Sequence, residues 1–192
     1  MKIHIKIQEV KINIFYIETD PYKAAQSMVD RHVVKMILET AQLLSTAHRI
    51  LDGTEYIGKS VSGQKNVRRW LLSDELETKL YSATHVNHPS AVWVRQSLNN
   101  YNWLYCHFEG LLNEYTRRYG KVHKCNGMKE FLIKPPKNIH TGYFTSPTCA
   151  MPDEYKISKD AVENYRYYYN VAKKRLHSWK NAPTPDWIIQ DI

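Results

Sequence analysis

The chain has 192 residues, 43% of them hydrophobic and 24% charged, a globular balance that excludes a disordered polymer and leaves room for one filled core rather than two. Lys and Arg number 27 against 19 Asp and Glu, a formal charge of +8, which makes a polyanionic partner reasonable without naming it. Cys106, Cys125 and Cys149 are odd in number and form no C-x-x-C pair, so neither a disulfide framework nor a thiolate zinc site is indicated and a reducing cytoplasm is expected.

In chain order, "MKIHIKIQEVKINIFYI" alternates apolar and polar residues. That pattern predicts a short strand-like arm over 1–17 rather than a signal peptide or membrane span. In "ETDPYKAAQ", Asp20 can cap a helix and Pro21 can occupy its first position; the apolar spacing then predicts a long helix over 20–51, stopped by Asp52-Gly53. Gly53, Gly58 and Gly63 mark 53–66 as a loop, and "NVRRWLLSDELETKLYSA" suits one or two short helices.

"NHPSAVW" opens a second long helix, 88–119, with Pro89 at its first position and Gly120 at its left-handed end. Residues 121–157 carry Pro135, Pro136, Pro147 and Pro152 and read as irregular, apart from a short helix over "GMKEFLI". A third long helix follows at 158–179. No repeat or linker divides the chain, so the expected fold is mainly α: a single helical domain with three long helices and the N-terminal arm.

On a helical wheel of the first helix, Arg31, His32, Lys35, Glu39 and Gln42 share one sector, beside an apolar sector of Val29, Val33, Met36, Ile37, Leu43 and Leu44. Glu39 lies one turn from Lys35 and two from His32, so cations can hold its carboxylate in a partly dry cleft suited to acid, base or electrostatic work. The competing interpretation is an ordinary i,i+4 pair on a solvated face.

His85, Asn87 and His88 stand at the mouth of the second helix, where free N–H groups attract an anion. No zinc-type spacing surrounds the two histidines, so they fit capping better than ligation, and no metal or cofactor is expected. Arg95, Arg117, Arg118, Lys121 and His123 follow along that helix and past its end. With "VRRW" at 67–70 and "KKRLHSWK" at 173–180, the chain offers basic clusters interleaved with aromatics, the pattern of phosphate contact plus base stacking. Tyrosines such as those of "YRYYYN" are expected in helix packing instead.

These residues resemble the pyrimidine-dimer DNA glycosylase/AP lyase family of the phage endonuclease V type. That family carries an early helix with Asp-x-His and a catalytic Glu seven residues after the His, the spacing of Asp30, His32 and Glu39. "INIF" at 12–15 is similar to its N-terminal segment, and Asn87-His88-Pro89 to the start of its central helix in cellular relatives. Further along that helix, Trp93, Glu114, Arg117, Arg118 and Gly120 follow the family's run from aromatics to a basic, Gly-terminated end. "APTPDWI", with Trp187, resembles its DNA-facing tail.

The resemblance implies a basic, helical, cytoplasmic monomer acting on double-stranded DNA, without a cofactor or membrane. A phage gene acting in a host cell is compatible with it. It further implies Glu39 as the group that stabilises charge at C1′, with His32 and Lys35 beside it, and Arg31, Asn87, His88, Arg117, Arg118 and Trp187 toward DNA, where the basic and helix-mouth residues His85, Arg95, Lys121 and His123 are expected to join them.

One departure concerns the nucleophile, an N-terminal α-amine in that family. Here nine or ten residues precede the matching point, and Lys2 predicts that Met1 is retained. The arm folds back, the chain is processed near Val10, Lys11 or Lys35 supplies the amine, or the lyase chemistry is absent. Two other functions compete: a non-catalytic nucleic-acid-binding protein, and a helical enzyme acting on a nucleotide or other small anion.

Overall fold

A computed structural model describes residues 12–60, 62–73 and 75–189. Its described residues form seven α-helices, three short 3-10 turns and one two-stranded antiparallel sheet, a mainly α fold. Residues 1–11 of the expected arm lie outside the described residues. Residues 12–17 belong to neither helix nor strand; all six are buried, so this stretch is core rather than an edge ribbon.

Each of the three predicted long helices is divided. Asp20 accepts from the Lys23 amide at 2.8 Å and caps α1, Pro21–Ser27, but Met28 and Val29 are extended before α2 runs from Asp30 to Asp52. Both residues are fully buried, and the carbonyls released at the break find a partner in Arg118. Its Nη2 donates to Gln26 O and its Nη1 to Met28 O, each at 2.8 Å. A buried guanidinium thus satisfies backbone groups that a continuous helix would have satisfied itself.

The second stretch divides into α4, Pro89–Val94, and α5, Leu98–Tyr119. Ser97 caps α5 through the Asn100 amide, while the buried Asn100 side chain donates back to Trp93 O at 3.0 Å. Gly120 ends α5 at φ 64° as its position predicts. The third stretch is helical only as α7, Ala161–Ala172, followed by a 3-10 turn at Lys174–Leu176. The expected helix in "GMKEFLI" is the single turn α6, Lys129–Leu132.

The largest correction lies between α2 and α4. Residues expected as a loop and short helices form a hairpin, β1 Thr54–Lys59 and β2 Asn66–Leu71, with Tyr56 opposite Arg69. Gly63, at φ 73°, sits in its turn, where the Lys65 carbonyl accepts from Ser60 N. Arg49 near the end of α2 fastens the hairpin from below. Its guanidinium donates to Trp70 O, Tyr81 O, Leu80 O and both the carboxylate and carbonyl of Glu77, the last on α3, Leu76–Lys79.

The core lies where α1 and α2 pack along α5, with Met36, Ile37 and Leu44 of α2 and Leu104, Phe108 and Leu111 of α5 fully buried. Gly110 lets α1 approach: a Cβ there would lie 3.0 Å from Ala25 Cβ. α7 closes over residues 12–17 with Tyr165 and Tyr169 against Phe15.

Arg118 is 1% exposed and also ion-pairs with Asp30 at 2.9 Å and Glu114 at 3.0 Å. Replacing it by Leu leaves the Gln26 and Met28 carbonyls without their donor and takes from Asp30 and Glu114 the buried cation they share, and Arg118→Leu is expected to cost about 3–5 kcal/mol. Urea denaturation measures this; a loss below about 1 kcal/mol contradicts the role assigned to Arg118.

Candidate functional site

The α2 stripe has its carboxylate where the helix meets the buried 12–17 segment. Glu39 is 4% exposed. Its Oε1 lies 2.9 Å from Lys35 Nζ, and its Oε2 accepts from the Asn13 main-chain N–H at 3.2 Å. The Lys35 side chain is 44% exposed, so solvent reaches the pair from the lysine side.

Asn13 is itself held on all sides. Its Oδ1 accepts from Tyr165 OH at 2.9 Å and from Phe15 N at 3.0 Å, while its Nδ2 donates to Ala150 O at 2.8 Å. Phe15 adopts a left-handed φ of 53°. The segment is therefore a fixed loop presenting one N–H to Glu39.

His32 does not join the cations. It is buried, stacked on Phe15 with ring centroids 4.2 Å apart, and its Nδ1 shares a 2.5 Å hydrogen bond with the Tyr169 hydroxyl. Burial, then the ammonium groups of Lys173 and Lys35, push its pKa down to about 3. A neutral His32, expected among the catalytic groups, anchors the 12–17 segment through Phe15 and Tyr169.

Arg31 is exposed at the other end of the stripe. There it lines a cavity of about 360 Å³ with Asp30, Arg175, His177 and Ser178. Asp30 accepts from Ser178 Oγ at 2.7 Å, from Lys180 N at 3.0 Å and from Arg118. Burial raises its pKa, but these bonds outweigh it and hold the carboxyl below the usual range.

The basic cluster at the end of α5 serves mainly structure. Arg118, expected at a phosphate, is inside the protein with every guanidinium nitrogen occupied. Arg117 is exposed but grips Glu114 and Asn181 O. His123 accepts from Cys125 N at 3.1 Å and caps a 3-10 turn, whereas Lys121 is exposed to solvent.

At α4, His88 caps the helix through Ser90 N and Arg95 folds back onto Val86 O and Ala91 O. His85 and Asn87 are exposed. Among the described residues no group of three His, Cys, Asp or Glu could hold a metal ion, and no helix is long and apolar enough to cross a membrane. Trp187 packs edge-on against Tyr169, under Arg166, with its Nε1 on Glu18 at 3.0 Å.

The sequence reading missed Asn13, Phe15, Tyr165 and Tyr169 as the frame around Glu39 and His32. The signal was an asparagine between isoleucines in "INIF": a polar side chain in an apolar run needs buried partners.

Two further histidines are buried. His48 and His107 are pushed down to about 4, chiefly by burial, and each keeps one ring nitrogen without a partner among the described residues. Unfolded histidine titrates near 6.5, so below that pH the unfolded chain binds more protons than the folded one. Stability should hold above pH 6.5 and fall toward pH 4, by about 1.4 kcal/mol per pH unit for each of the three histidines. Urea midpoints between pH 7.5 and 5 measure this slope, and a flat profile contradicts it. Compared with protein-family models, curated proteins and solved structures, the chain matches none.

Proposed function

We propose that this protein is a DNA-processing enzyme of the N-glycosylase/AP-lyase type, acting as a monomer on double-stranded DNA in the cytoplasm, with Glu39 as its central catalytic group. The observation that carries this reading is the Glu39 carboxylate, 4% exposed, held by Lys35 and the Asn13 N–H at the foot of a face carrying Arg31 and Lys35. An oriented carboxylate in a partly dry site stabilises positive charge as it develops, because no solvent has to reorganise. The Asp30, His32 and Glu39 spacing agrees with the family resemblance.

In this mechanism an amine attacks C1′ of the damaged nucleotide while the base leaves with the glycosidic electrons. Glu39 faces the oxocarbenium-like charge, takes the proton that the attacking amine loses and passes it to O4′ as the C1′–O4′ bond breaks, so the opened sugar carries a protonated imine at C1′. Lys35 Nζ, 2.9 Å from Glu39 and open to solvent, is the amine that the described residues place beside Glu39, and its ammonium gives one proton to water before it attacks; Lys11 lies outside them.

A second reading, non-catalytic nucleic-acid binding, is favoured by one feature. The nitrogen on Glu39 Oε2 is a peptide N–H, not an amine. Its signature is salt-sensitive binding without product.

Glu39→Gln keeps the shape of the side chain and removes its charge. On duplexes containing a pyrimidine dimer or an abasic site, turnover should fall about 100-fold or more while DNA affinity stays within about threefold. Equal turnover in the variant and the parent rules out the assignment.

A further inference from the structure

The hairpin β1–β2 has no part in the chemistry above, yet it forms one wall of a groove of about 560 Å³ beside α2. Gln42, Tyr56, Arg69, Trp70, Tyr81 and Thr84 are among the residues that line it. Gln42 lies three residues beyond Glu39 on the same stripe, about 4.5 Å along the helix axis, little more than the 3.4 Å rise of one nucleotide in a strand. The groove therefore begins within one helical turn of Glu39 along α2.

The charge of the hairpin is one-sided. It carries Lys59, Lys65, Arg68 and Arg69 against Glu55 alone, and Arg68 already takes both Glu55 oxygens at 2.6 and 2.7 Å. Lys59 and Lys65 are exposed. Arg69 is braced by two bonds from Nε and Nη2 to Lys59 O at 3.0 and 2.6 Å, which leaves its Nη1 for another acceptor. Tyr56, opposite Arg69 in the register and 46% exposed, supplies an aromatic face beside that guanidinium.

We propose that this groove binds the nucleotide adjoining the one that reacts at Glu39, with its phosphate on Arg69 and its base against Tyr56. The proposal rests on the nucleic-acid reading above. A braced guanidinium and an exposed ring on one face of the hairpin match a phosphodiester with an unstacked base better than an apolar peptide.

The test is the hairpin variant Arg69→Gln, compared with a control that removes equal charge elsewhere, Lys137→Gln. Affinity for an abasic duplex is measured across a salt series. The hairpin variant should bind about fivefold or more weakly near 0.1 M salt, with its salt slope reduced by about one; the control should bind like the parent. Tyr56→Leu should weaken binding about fivefold or more without changing the slope.

Equal losses in hairpin variant and control, or no loss in either, overturn the groove. If the parent chain binds no nucleic acid, the proposed function falls and the groove with it. If the parent binds and turns over while the hairpin variant matches it, the groove alone falls.

Discussion

The structure depends on a guanidinium with no access to water. Arg118 stands at the end of α5 and reaches into the gap between α1 and α2, where it holds two freed carbonyls and two carboxylates at once. Burying that charge is costly, and only full coordination offsets the cost. Its geometry sets the direction in which α2 leaves Asp30, and so where Arg31, Lys35 and Glu39 emerge. Arg49, near the other end of α2, repeats the device with five acceptors and fixes the hairpin and α3. α2 is thereby clamped at both ends by arginines whose guanidinium nitrogens bond within the protein.

Between the clamps, residues 12–17 supply the third constraint. A buried strand-like segment without sheet partners needs its polar groups satisfied one by one, and Asn13 does much of that through Tyr165, Phe15 N and Ala150 O. The remaining N–H goes to Glu39. Glu39 is thus part of the packing as well as the candidate reacting group, so its charge and the position of the N-terminal segment are coupled.

Much of this was legible in the sequence. Asp20-Pro21, His88-Pro89 and Gly120 gave the helix ends they mark, because capping is local chemistry. The 100° stripe gave the Lys35–Glu39 pair. The breaks at Met28–Val29 and Arg95–Ser97 were not legible: apolar periodicity runs through them, and what stabilises them comes from Arg118 and Asn100, far along the chain or hidden in another turn. The hairpin was missed because Gly58 and Gly63 weaken the strand signal and Arg49, which secures it, is distant. Of the basic residues, Arg118 and Lys121 looked alike as letters; only packing separates a buried organiser from a solvated cation.

The central claim is covalent chemistry at Glu39, and imine trapping tests it most directly. The protein is incubated with a duplex containing an abasic site in the presence of borohydride, and the product is mapped by peptide mass. The account predicts strand cleavage and a reduced adduct on an amine beside Glu39, with Lys35 as the described candidate. Tight binding with neither cleavage nor adduct would contradict it and leave Glu39 as a structural ion pair.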